Sequence, residues 1–303
     1  MSVFVHIFQK NILPAFIVIA TGVLIDRKLE IDKHSFSRTA IYILTPCLVF
    51  SSIVESNVNP SQFGIMIVYV GVITLIMCAI PLAVGKLLGW EQRSVDALVL
   101  SVAFLNAGNF GLSVVFLSYG DAGLELATVF FVGTNLAVNT LAAFFAARGN
   151  GGGRKALMKV FKLPGPYAFA LALLIRFIGI DPPYLLMRPV SLIGQASVPI
   201  LLLMLGIQLS QAKVGGRYGQ VAVGVFLRLV VGSVMALLLA PIMGLQGLAR
   251  KVAVVEASTP TAVNSGLMAI EFEADADYVS SVIFFSTLFS GVTLTILMYL
   301  LGT

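Results

Sequence analysis

Two short runs place amide and hydroxyl side chains beside glycine and proline inside otherwise apolar stretches. One reads Asn106-Ala-Gly-Asn-Phe-Gly-Leu112 and the other Thr259-Pro-Thr-Ala-Val-Asn-Ser-Gly-Leu267. Asn106 and Asn109 carry both donors and acceptors, and Gly108 and Gly111 let backbone approach a ligand closely. In the second run Thr259, Thr261 and Asn264 surround Pro260, which has no N–H and cannot continue a regular helix. Where a helix restarts after such a break, its first N–H groups point into the gap. The dipole there favours an anion by roughly 0.3–1 kcal/mol, and up to about 2 kcal/mol when partly buried. The chemistry this suits is binding of a carboxylate-sized anion. Taken singly, either run reads equally as small-residue packing with a kink.

The two runs also match each other. Asn109, Gly111 and Leu112 correspond to Asn264, Gly266 and Leu267 at a constant offset of 155 positions. A membrane helix that gives up backbone hydrogen bonds at mid-depth loses several kcal/mol per group unless something else satisfies them. Matched interruptions in two halves of a chain point to a midplane site of the kind built from broken helices.

The elements that position these runs follow from composition. The 303 residues are 58% hydrophobic and 11% charged, with mean hydropathy +1.00; a soluble domain carries about 25% charged residues. An ordinary soluble protein is excluded, and the net charge of +5 sits in short loops, which argues against nucleic acid as a partner. The apolar stretches predict an all-α polytopic membrane protein of ten spans, at about 11–25, 38–55, 63–85, 95–118, 122–147, 164–180, 185–209, 219–243, 250–270 and 277–301. Spans 4 and 9 are the interrupted ones. Span 1 runs into Asp26-Arg27-Lys28 without a cleavage site, so no cleavable leader is expected. Cys47 and Cys78 fall inside spans and read as small apolar residues.

A Gly-rich and basic segment, 149–163, separates residues 1–148 from 164–303. Pro46 matches Pro199 at an offset of 153, and Phe130-Phe131 matches Phe284-Phe285 at 154. Near-constant offsets predict a duplicated five-span unit, and an odd number of spans forces the second copy to be inverted. With the N-terminus outside, thirteen Lys and Arg fall on inner loops and four on outer ones. Both termini are therefore expected outside and the linker in the cytoplasm.

Glu256 lies one helical turn before Pro260. A carboxylate at that depth is a functional candidate for a proton or a cation, or else a structural pair with Arg228 of span 8. Arg228 otherwise balances an anionic ligand. Arg176 is expected to snorkel from the end of span 6. Thr128, Thr134 and Asn135 in span 5, and Ser286, Thr287 and Ser290 in span 10, either line the site or bond their own helices; Asn135 is the best lining candidate. Enzyme chemistry is not expected. Ser113 would need His6 or His34 as its base, and both lie outside the spans. No phosphate loop, metal-ligand cluster or pore filter is present, so no cofactor is expected.

At these residues the chain resembles the auxin efflux carrier family in its bacterial branch. The likeness covers essentially the whole chain. It is most specific in Asn106–Leu112 with Gly120-Asp-Ala-Gly-Leu124, in Ala196-Ser-Val-Pro-Ile-Leu-Leu-Leu-Met-Leu-Gly206, and in Thr259–Ser265 with Ser286-Thr-Leu288. The plant PIN carriers resemble it distantly. The resemblance implies a fold like that of the bile acid/sodium symporters. Spans 1, 2, 6 and 7 would form a scaffold domain, through which a homodimer is expected. Spans 3–5 and 8–10 would form a transport domain that moves in an elevator-like way. It further implies a small organic anion as substrate, a bacterial inner (plasma) membrane location, and family crossover residues at Asn106 and Pro260. Ser113 stands where the family usually has proline. Thr259 stands where the bile acid symporters hold a sodium-binding glutamate. A sodium-coupled importer of a larger amphipathic acid, or a receptor that binds without transport, remains the alternative, and H+ or Na+ the coupling-ion candidates.

Overall fold

The computed structural model describes residues 3–29, 31–56, 58, 60–148, 163–212, 214–215 and 217–271, with 273–303. The Gly-rich linker expected at 149–163 lies outside them except for Leu163. The described chain is helical throughout, with a single isolated antiparallel bridge and no strand. A chain this apolar must satisfy its backbone within each segment, and the helix does so. In chain order the helices are α1 (Val3–Leu29) and α2 (Ser35–Val54), α3 (Pro60–Leu87), α4 (Gln92–Ala103) and α5 (Leu112–Arg148). They continue with α6 (Pro164–Ile178), α7 (Tyr184–Gln195), α8 (Ser197–Ser210) and α9 (Tyr218–Ile242). The last three are α10 (Gly247–Ala257), α11 (Asn264–Glu271) and α12 (Ala276–Leu300). Among described residues, seven helical stretches are long and apolar enough to cross a membrane, and α6 is a shorter apolar helix. The protein is a polytopic helical membrane protein.

Local chemistry explains where these helices bend. Single π-helical turns occupy Phe8–Ile12 and Ala40–Leu44, each ending two residues before a proline, Pro14 and Pro46. A proline has no N–H, and a widened turn lets the helix pass it. Two further π turns, Ala107–Gly111 and Leu227–Val231, have no such proline and lie at the centre of the fold. In α5 the regular helix fails at Gly120, whose φ of 64° and ψ of −155° suit glycine. A Cβ placed on Gly123 would lie 3.1 Å from Val115 Cγ1. A straight helix would hold residues eight apart about 12 Å from each other. The chain therefore doubles back at Gly120, between the two spans expected at 95–118 and 122–147.

The helices pack in two sets. α1 lies along α8, and α2 contacts α6 and α7. Gly22 and Gly206 bring α1 and α8 backbone to backbone: a Cβ on either would collide with the carbonyl of Leu203 or Ile19. Small residues at a close helix crossing are the usual route to van der Waals association in lipid. In the other set α3 packs on α4 and α5, α10 on α5 and α9, and α12 on α4, α9 and α11. Large apolar side chains such as Phe177 and Leu185 point outward, at 91% and 83% exposure. Lipid-facing surfaces carry such residues.

Candidate functional site

The two interrupted stretches meet. α4 ends at Ala103, and Phe104 is extended, with φ −101° and ψ 111°. α10 ends at Ala257, and the chain resumes as a helix at Asn264. Between these ends the segments run antiparallel, with Leu105 bridged to Thr261. Asn106 N donates to the Pro260 carbonyl at 2.8 Å, and Ala262 N donates to the Phe104 carbonyl at 2.8 Å. Each break thus satisfies backbone groups freed by the other, which removes the penalty an isolated break would carry.

Side chains complete the crossing. Thr261 Oγ1 donates to the Ser101 carbonyl at 2.6 Å, and Thr261 N donates to Ser286 Oγ at 3.1 Å. Thr259 Oγ1 donates to the Glu256 carbonyl at 2.7 Å. Ser101 and Glu256 are among the last residues of α4 and α10, whose terminal carbonyls have no partner within their own helix. Thr259 and Thr261, both expected at a ligand, have their hydroxyl protons committed to holding helix ends. Pro260 is buried between them. Of the weaker candidates, Ser286 joins the crossing. Thr128, Thr134 and Asn135 donate to carbonyls four residues back in their own helix.

The start of the second half-helix from the first break is organised by Asn106. Its Oδ1 accepts from Asn109 N at 3.2 Å, and its carbonyl accepts from Gly111 N at 2.9 Å. This is an N-cap of the ordinary kind. Asn106 is 4% exposed, and its Nδ2 has no hydrogen-bond partner among the described residues. Asn109 Nδ2 reaches Gln208 Oε1 of α8 at 3.3 Å. Ser113 Oγ donates to the Val198 carbonyl, also of α8, at 3.1 Å. Gln208 was not singled out from sequence, although a lone amide inside an apolar span is the signal that would have found it. Gly108 faces Phe131, where a Cβ would lie 2.7 Å from Cε2. Asn264 begins α11 with an exposed side chain, so it stands apart from the buried asparagine of the first break.

Glu256 and Arg228 are both fully buried, and the pair that is one alternative for them is not formed among the described residues. Neither Glu256 carboxylate oxygen has a hydrogen-bond partner among the described residues. The carboxylate instead lies against Gly111, where a Cβ would run into Oε2. Arg228 sits in the π turn of α9 and donates to two carbonyls, Val102 at 2.8 Å and Ala257. Arg176, expected to snorkel, donates to the Val58 carbonyl and lies over the Phe63 ring, 5.2 Å from its centroid.

Two broken helices that cross at backbone level in a polytopic helical protein are an architecture found among membrane transporters. The membrane transport protein family matches this sequence at residues 9–155 and 152–298. The chain belongs to that family, the auxin efflux carriers and their relatives. It is also similar to an uncharacterized transporter of Methanothermobacter thermautotrophicus, 26% identical over 266 residues and covering 88% of each chain. A second uncharacterized transporter, of Methanocaldococcus jannaschii, is 26% identical over 272 residues, covering 86% of this chain and 87% of its own.

Proposed function

We propose that this membrane transporter is a secondary carrier of a small organic anion, a mono- or dicarboxylate, with its site at the crossing of the two broken helices. The observation that carries the reading is the antiparallel pairing of Phe104–Asn106 with Pro260–Ala262. Opposite chain directions at the crossing fit a ten-span plan of two inverted five-span repeats. In this reading the carboxylate is held by the N-terminal end of the half-helix that Asn106 caps and by Asn106 Nδ2, which has no partner among the described residues. Asn109 and Gly108, both half-buried, line the same approach.

In this reading α1, α2 and α6–α8 form the scaffold, and a homodimer assembles through it. The remaining helices carry the site past that scaffold by alternating access. Asn109–Gln208 and Ser113–Val198 are contacts that such a motion would exchange. Glu256 is the candidate for the coupling proton. The chain resides in a bacterial inner membrane with both termini outside.

The test is a thermal-shift panel of mono- and dicarboxylates on purified protein, followed by uptake of the best responder into proteoliposomes. A ligand at 100 times its Kd stabilises by about 2.7 kcal/mol. Saturable binding with saturable flux is the expected result. Saturable binding without flux would make the protein a receptor, and a panel with neither would end the organic-anion reading. Glu256→Gln is expected to uncouple flux from an imposed proton gradient while leaving counterflow exchange intact.

A further inference from the structure

We propose that the Arg228 guanidinium is a built-in cation that occupies the place where a broken-helix carrier would otherwise hold a coupling ion. This rests on the carrier reading above. In such carriers the C-terminal ends of half-helices and unwound carbonyls coordinate Na+ or H+. Here the two C-terminal ends are those of α4 and α10. Val102 and Ala257 are within the last two residues of those helices, and both carbonyls accept from the one guanidinium.

The charge arithmetic closes. Each half-helix C-terminus carries roughly −0.5 of an elementary charge. Two such ends sum to about −1, and one guanidinium balances them without a carboxylate. Arg228 accordingly makes no ion pair among the described residues.

The local sequence is shaped for this placement. The π turn Leu227–Val231 widens α9 at the arginine, a device frequent at functional positions. Gly232, one turn on, leaves room for the head group: a Cβ there would lie 3.3 Å from Arg228 Nη2. Thr261 and Thr259 take the neighbouring carbonyls of Ser101 and Glu256. No mobile cation is therefore required at these carbonyl ends, and the sodium-coupled alternative loses its natural site.

The experiment reads protein stability with no organic anion present. Wild-type protein in detergent is melted in NaCl, KCl, LiCl and choline chloride at equal ionic strength. The proposal expects indistinguishable melting temperatures, and a saturable rise specific to sodium or another alkali cation overturns it. Arg228→Ala is then titrated with methylguanidinium chloride. A saturable rise of about 2 °C is expected at ten times the half-saturating concentration, absent from the wild type. No response, or the same response in both proteins, overturns it. Should Arg228→Ala yield no folded protein, Arg228→Lys and Arg228→Gln are compared. Lysine is expected to restore folding without a methylguanidinium response, and glutamine to respond. Equal behaviour of the two would show that the charge is irrelevant. Loss of all anion flux would instead sink the carrier reading and leave these melting curves unchanged.

Discussion

Thr261→Val separates a residue that holds the crossing from one that binds the ligand. Valine matches threonine in shape but removes the hydroxyl that donates to the Ser101 carbonyl at 2.6 Å. Both residues are fully buried, so water cannot replace the lost donor. A buried acceptor left without its partner costs about 1–3 kcal/mol. For a protein of this size that lowers the melting temperature by roughly 1.5–5 °C. The backbone pairings with Ser286 and Leu105 do not use the hydroxyl and remain. Carboxylate affinity, measured by thermal shift or equilibrium binding in the folded fraction, is therefore expected to change by less than about twofold. A ligand-contact role predicts the opposite pattern, because losing a hydrogen bond to a charged group weakens binding roughly tenfold or more. Unchanged stability together with tenfold weaker binding would place Thr261 at the ligand instead.

Gly111→Ala is expected to destabilise by about 1–3 kcal/mol, because its Cβ runs into the Glu256 carboxylate. Adding Glu256→Ala should recover part of that loss, giving non-additive melting temperatures in the double variant. Gly206→Ala meets backbone, the Ile19 carbonyl, not the end of a side chain. It is expected to reduce folded yield more than Gly111→Ala, measured by size-exclusion profiles in detergent. Gln208→Ala removes the contact with Asn109 at 3.3 Å. Its expected signature is an altered flux rate with stability within about 1.5 kcal/mol of wild type.

The apolar runs, the two breaks and their matching offsets could be read directly, because span length and the expense of an interrupted helix in lipid leave strong patterns. The observed helix ends at Val54, Leu87 and Ile242 lie near the edges of stretches drawn from hydropathy alone, and the end at Ala103 falls at the interruption expected in the fourth. Partnerships were harder to read. Arg228 was weighed against carboxylates, yet its partners are the backbone carbonyls of Val102 and Ala257, and sequence does not display which carbonyls a helix end leaves free. Glu256 lies against Gly111, a residue 145 positions away, and only the crossing brings the two together. Thr259 and Thr261 have the residue types of a ligand site. The same hydroxyls serve equally to close helix ends, and geometry alone distinguishes the two uses. The doubling-back at Gly120 falls in the gap between the spans expected at 95–118 and 122–147.

Binding of the transported anion at the crossing is open to measurement. Its most direct test is flux of the best-responding carboxylate into proteoliposomes containing wild-type protein or Asn106→Ala. The substitution removes the partnerless Nδ2 together with an N-cap whose loss costs about 1 kcal/mol. A melting curve in the same preparation confirms folding. Saturable wild-type flux is expected, with a half-saturating concentration raised roughly tenfold or more in the variant. Wild-type affinity and rate in folded Asn106→Ala would contradict it and leave the crossing as architecture alone.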